Sequence, residues 1–276
     1  DENMTTFKTL VKTTLTPIAL CLTLAIAAPT LAKKGHHQKH DGMRQILSEL
    51  SLTDTQKQDI KQILKQNRED RDVYSADGKS LQTDLRSLVQ SSEWDQEAVE
   101  SAISQRQSLM QEKALQRATS KHQVWNLLTE TQQAEFVAQL EAHKAKRDAK
   151  NSDRKGKDKR KGKMLKRLDL SDAQLAYVEA IKTAEKENSK AIKTKLQQYK
   201  QAEQSLIQSA EFSADTWQAL NSEYQSDFEA MALLKTKSKH DIWNVMTSEQ
   251  QAKMIEKLKK FKNKKKGKKH NKQESV

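Results

Sequence analysis

The stretch KHQVWNLLTETQQ, Lys121–Gln133, returns as KHDIWNVMTSEQQ, Lys239–Gln251. The offset is 118 residues (239 − 121), and it holds without a gap elsewhere. Leu52-Thr53-Asp54-Thr55-Gln56 falls on Leu170-Ser171-Asp172-Ala173-Gln174, and SLVQSSEW from Ser87 to Trp94 falls on SLIQSAEF from Ser205 to Phe212. Solenoid units repeat every ~20–50 residues, so a period this long marks a duplicated domain rather than a stacked array.

Each copy carries the pattern L/M-T/S-x-x-Q twice. In the first copy it uses Leu52, Thr53, Gln56 and Leu128, Thr129, Gln132; in the second, Leu170, Ser171, Gln174 and Met246, Thr247, Gln250. A hydroxyl followed three residues later by Gln is a capping box. The hydroxyl accepts from the N–H of the third helical residue, and the Gln reaches back to the cap N–H. Asp54, Glu130, Asp172 and Glu249 place an acid in each first turn, where the helix dipole favours it. Leu52 finds Lys57 where a hydrophobic staple partner would stand, so it is expected to pack on another helix. The two boxes lie 76 residues apart in both copies (128 − 52 and 246 − 170). The plain reading of the four boxes is four helix starts.

Pro17 and Pro29 are the only prolines and glycines number six, while 32% of residues are charged. Such a chain is expected to be all-α beyond its N-terminus. A hydrophobic content of 35% implies small cores and open helix packing.

L-T-x-x-Q twice, about 75 residues apart in a Lys/Gln-rich helical segment, resembles the Spy/CpxP (LTXXQ-motif) family of periplasmic stress proteins. Met43–Asp70 is similar to the family's first motif and the helix it opens. Val124–Phe136 is similar to its second motif. The resemblance covers about 44–143 and, less closely, 164–262. Ser171 replaces Thr and Met246 replaces Leu in the second copy, which keeps the hydroxyl and the apolar volume. The resemblance implies two tandem helical domains of about four to five helices each, with long antiparallel helices and a cradle-like form. Family members of this kind pair as antiparallel dimers, so domain one is expected to pair with domain two as a pseudo-dimer, or with another chain as a homodimer.

Residues 4–32 read as a secretory signal peptide: Lys8 and Lys12, an apolar run over Pro17–Ala28, and small residues before a cut near Ala32/Lys33. That run is shorter than the ~20 apolar residues a bilayer requires. Cys21 is the only cysteine, so the mature chain has no thiol chemistry or disulfide and suits the periplasm. Residues 33–42 form a polar leader in which His36, His37 and His40 offer a weak zinc site, a feature the resemblance to ZraP-like zinc-linked proteins keeps in view.

Domain one, 43–143, is expected to hold a short helix through Met43, Ile46, Leu47 and Leu50. A second helix starts at Thr53 and ends near Tyr74 at an Ala76-Asp77-Gly78 break, followed by a short third through Leu81–Val89. A long helix then ends near Leu128, and a last one opens at Thr129. Domain two, 164–262, repeats this. Leu196 stands where Gly78 does, so a continuous helix from Asp172 to about Ser209 is expected. Met110, Trp217, Tyr224, Phe228 and Met231 step along the long helices. Core packing is the plain explanation of that stripe, and an exposed face that meets unfolded clients is the functional one.

The net charge is +13, but residues 44–143 hold 12 Lys/Arg and 16 Asp/Glu, and 164–256 hold 12 and 14. The basic charge therefore lies in the linker, 144–163, and the tail, 263–276, with the run of lysines starting at Lys257. Such runs are ordinarily solvated and disordered. A nucleic-acid-binding fold would carry the charge on a folded face, so nucleic acid is not an expected partner. Anionic membrane surface and acidic proteins are.

No glycine-rich phosphate loop, nucleophile–base pair or HExxH motif is present, so no catalytic residue is assigned and no enzyme activity is expected. His122 and His240 occupy the same register of the two copies and are expected to sit at helix packing sites. Two main functions remain, with ZraP-like metal buffering through the His arm (His36, His37 and His40) a third and lower one. One is an ATP-independent holdase for unfolded envelope proteins. The other is an adaptor that, as the CpxP branch implies, inhibits a two-component sensor kinase through its periplasmic domain.

Overall fold

The computed structural model describes residues 42–73, 75–152 and 167–270, and these form ten helices and no strand. The first copy supplies α1 (Gly42–Leu47), α2 (Asp54–Val73), α3 (Ser75–Val89), α4 (Gln96–Asn126) and α5 (Glu130–Ser152). The second supplies α6 (Asp172–Asn188), α7 (Lys190–Ile207), α8 (Ala214–Glu223), α9 (Gln225–Asn244) and α10 (Ser248–His270). The expected signal peptide, 4–32, and the three leader histidines, His36, His37 and His40, lie outside the described residues.

Three small apolar clusters hold these helices, as the low hydrophobic content requires. Ile46, Leu47, Leu50, Ile60, Val124, Leu128 and Phe136 form one at the end of copy one, with Leu52 packed against it. Leu168, Val178, Trp243 and Met246 form its counterpart in copy two. The third joins the copies: Ala118 of α4 packs with Ile207 and Trp217 of copy two. Helix α4 touches α7, α8 and α9, and α3 touches α9.

Several expected boundaries move. Ala76-Asp77-Gly78 does not break a helix but lies inside α3. A Cβ at Gly78 would meet only the flexible end of Lys113, at 3.2 Å from Nζ, and Leu109 Cδ2 at the ordinary contact distance of 3.6 Å. The uninterrupted helix expected from Asp172 to Ser209 is divided at Ser189, which is buried and keeps a right-handed conformation (φ −87°, ψ −3°). Its N–H still donates to the Glu185 carbonyl at 3.0 Å, so helical bonding runs through the interruption. The long helix of copy two is divided at Tyr224, whose ring meets Tyr199 edge-on at 5.5 Å. Copy one has no such division over α4.

The described parts of the basic segments are helical. Helix α5 continues to Ser152, nine residues into the expected linker, and α10 continues to His270. Lys, Ala and Gln are good helix formers, and no proline interrupts either run.

Candidate functional site

All four capping boxes form. The cap backbone N–H donates to the Gln side-chain oxygen at 2.9 Å for Thr53–Gln56 and Ser171–Gln174, and at 3.0 Å for Thr129–Gln132 and Thr247–Gln250. The return bonds from the Gln N–H to the hydroxyl span 3.2–3.3 Å.

The two glutamines of each copy also bind each other. Gln56 Nε2 donates to Gln132 Oε1 at 2.8 Å, and Gln132 Nε2 donates back to Gln56 Oε1 at 3.1 Å. The second donor of each amide goes to the backbone, Gln56 to the Leu127 carbonyl at 2.7 Å and Gln132 to the Ser51 carbonyl at 2.8 Å. Copy two repeats this with Gln174 and Gln250 at 2.9 and 3.1 Å, and with the Val245 and Asp169 carbonyls at 2.7 and 3.0 Å. Each amide thus uses two donors and two acceptor sites, its full capacity. A glutamate would cap a helix equally well but has no donor for the clasp. The following residue extends the arrangement: Gln133 and Gln251 donate to carbonyls at the C-terminal ends of α4 and α9. The motif is therefore a clamp between two helix starts and the end of the long helix. Sequence reasoning found the caps and missed the clasp.

Asp169, the acceptor in copy two, is the only described non-glycine residue at positive φ (53°). Aspartate tolerates that region better than most side chains.

The paired histidines mark the seam between the copies. His122 stacks on Phe212 at 4.6 Å, and its Nδ1–H donates to the Ile207 carbonyl at 2.8 Å. His240, buried, lies 5.2 Å from Trp94. Asn244, beside His240, donates to the Ser91 carbonyl at 3.2 Å. Trp94 and Phe212 are themselves register equivalents, so the seam is a pseudo-twofold contact within one chain. The end of α4 meets the stretch before α8, while the end of α9 meets the stretch before α4, so α4 and α9 run antiparallel. Lys237 stands 5.3 Å over the Trp94 ring, a cation–π contact on one side of the seam.

The aromatic stripe is mostly core, which corrects the client-binding assignment. Trp217 is 1% exposed, and its indole N–H donates to Glu203 Oε1 at 3.0 Å. Met231 is buried as well. Tyr224 and Phe228 are half-buried and close edge-on around buried Tyr199. The Tyr199 hydroxyl donates to Glu203 at 3.2 Å. Burial first, and then the charge of Glu203, hold that phenol well above its ordinary value. Of the stripe only Met110, 40% exposed, faces solvent.

The open surface lies instead on either side of α2. Toward α4 runs a cleft of about 630 Å³ with Ile63, Leu115 and Leu127 beneath a rim of Gln62, Gln66, Asn67, Gln116 and Gln123. Asn67 is held there by bonds to the Gln116 carbonyl and Ser120 Oγ at 3.2 and 2.9 Å. Toward α1 runs a second groove of about 590 Å³. Among the described residues no cluster of three His, Cys, Asp or Glu gathers to hold a metal ion, and no helix is long and apolar enough to cross a membrane.

These features define a duplicated, all-helical protein whose signature residues clamp helix ends. The family model described as LTXXQ motif family protein matches residues 38–140 and again 156–258, with the same 118-residue offset, and the chain belongs to that family. It is a family of helical, periplasmic stress-related proteins, generally without enzymatic activity. No curated protein and no solved structure matches the chain.

Proposed function

We propose that the protein is an ATP-independent holdase, exported to the periplasm by cleavage near Ala32/Lys33, that binds unfolded envelope proteins and limits their aggregation. The observation that carries this reading is the α2–α4 cleft. Its apolar floor is bordered by the exposed amide side chains of Gln62 and Gln123, which can donate and accept. Such a lining can pair with any polypeptide backbone and cover any small apolar side chain, which is recognition without sequence preference. Asp59 is the only charged residue of that lining, so binding there does not depend on client charge.

The test is aggregation of a chemically denatured, unrelated protein on dilution, with the full chain added at near-equal molar ratio. The expected result is suppression that falls at least threefold in the variant Gln62→Glu/Gln66→Glu/Gln123→Glu, since carboxylates lack the donors and repel carbonyl oxygens. Wild-type protein that leaves aggregation unchanged would sink the holdase reading. Tight binding to one sensor-kinase periplasmic domain, without such suppression, would establish the adaptor instead.

A further inference from the structure

Helix α2 has a second open side. The groove toward α1 is floored by Leu47, Leu52, Ile60 and Leu64 and edged by five cations, Arg44, Lys57, Lys61, Lys65 and Arg68. Among the described residues two acids pair with them, Asp54 at 3.0 Å from Lys57 and Glu69 at 3.7 Å from Lys65. All four of those side chains are more than half exposed, so the pairs are weak and open to exchange. The groove is thus an apolar trough with surplus positive charge, in a copy whose residues 44–143 are net acidic (12 Lys/Arg against 16 Asp/Glu).

The duplication supplies an internal contrast. Positions 57, 61 and 65 correspond to Leu175, Glu179 and Thr183 in copy two, while the floor residue Ile60 corresponds to buried Val178. Copy two keeps apolar residues at the positions of Leu47, Leu52 and Ile60 but has Lys182 at that of Leu64 and Lys186 at that of Arg68, so what it lacks is the run of three lysines. General helix stability or solubility therefore does not account for the row.

We propose that this groove is a docking site for acidic amphipathic segments of other polypeptides. The three lysines recur every four residues, or about 6 Å along the helix axis, and the whole row from Lys57 to Arg68 spans about 16 Å. Acids at i and i+4 of a docked helix, or at every second residue of an extended strand (about 6.6 Å), fall into step with that row. The apolar face of the same segment then covers Leu47, Ile60 and Leu64. A lipid brings one anionic headgroup to one point and leaves most of the row unmatched, so the length of the row favours a polymer of acids. The site goes beyond the amide-lined cleft, which lies on the opposite side of α2.

The experiment uses the full chain and fluorescence anisotropy with a labelled 18-residue peptide carrying Glu at i and i+4 beside a Leu face. The same peptide with Lys in place of Glu serves as its opposite. The expected result is that K57Q/K61Q/K65Q weakens the acidic peptide at least tenfold, whereas L175Q/E179Q/T183Q in copy two changes it less than twofold. The reversal K57E/K61E/K65E is expected to improve binding of the Lys peptide. Circular dichroism of each variant checks that helix content is kept. An acidic peptide bound equally by wild type and K57Q/K61Q/K65Q would overturn the proposal and assign its affinity to the linker and tail. Lysine-dependent sedimentation with vesicles containing phosphatidylglycerol, without lysine-dependent peptide binding, would overturn it in favour of a lipid surface. Aggregation suppression of a basic client is expected to be the same in wild type and K57Q/K61Q/K65Q, which separates failure of this site from failure of the holdase reading.

Discussion

Copy one and copy two share a scaffold but not a surface. The glutamine clasp is the same in both, bond for bond, down to the backbone carbonyls that receive the spare donors. The central core differs more: Trp217 fills in copy two the register held by Val99 in copy one, and both are buried. The outer face of the helix after the first box differs most, with Lys57, Lys61 and Lys65 against Leu175, Glu179 and Thr183. Constraint therefore decreases from the helix junctions outward. The four junction glutamines are the same in both copies because every hydrogen-bonding site of their amides is committed.

The sharpest way to test this ordering is at the central core. Trp217→Ala is expected to cost about 3–5 kcal/mol in denaturant unfolding, because a large buried side chain leaves a cavity between the copies. Val99→Ala is expected to cost clearly less, since it removes fewer atoms. Equal losses would mean that the size of the buried side chain does not set the cost at this register.

The clasp comes next. Gln132→Glu removes both amide donors at a buried site and is expected to cost about 1–3 kcal/mol at pH 7. Gln250→Glu should cost a similar amount if the two clasps are equivalent. The introduced acid is disfavoured in its charged form when folded, so its folded pKa lies above the unfolded value of about 4.3. The deficit should shrink below about pH 4 and be complete once pH has risen through the folded pKa. Urea melts at pH 4 and pH 7 read this directly. A deficit that ignores pH would exclude the buried carboxylate charge as its cause and leave the lost donors.

The smallest effect concerns a group without a counterpart. Tyr199 corresponds to Leu81, and its phenol is held above the ordinary value by burial and then by Glu203. A raised phenol pKa adds stability that is fully present below the unfolded value of about 10 and lost as pH rises through the folded one. Wild-type stability is therefore expected to fall as pH rises above about 10, and Tyr199→Phe to flatten that fall. At pH 7 the variant should lose only about 1 kcal/mol, one buried hydrogen bond. Thermal melts that decline identically in both proteins above pH 10 would remove Tyr199 from the account.

The helices were legible in the sequence because each apolar stripe follows the helical period and each start carries its own cap. The partner of each cap was not, since Gln56 and Gln132 meet across 76 residues by tertiary placement. One signal did exist: all four boxes end in Gln, where Glu would cap as well. The fate of Trp217 and Met231 was hidden for another reason. Periodicity shows that a helix has an apolar face but not whether a second copy of the fold covers it. Gly78 misled because a single glycine lowers helix propensity by only about 1 kcal/mol and does not by itself end a helix. The basic segments misled as well, since their charge hid their helical propensity.

The seam places two related but unequal surfaces against each other within a single chain: His122 on Phe212, and His240 on Trp94. In an assembly of identical subunits any substitution appears on both sides at once, so a favourable change on one flank is also imposed on the other. Fusion removes that coupling. Each half can acquire its own charge and its own clients while the other goes on holding the joint, and one molecule can then present two different hands.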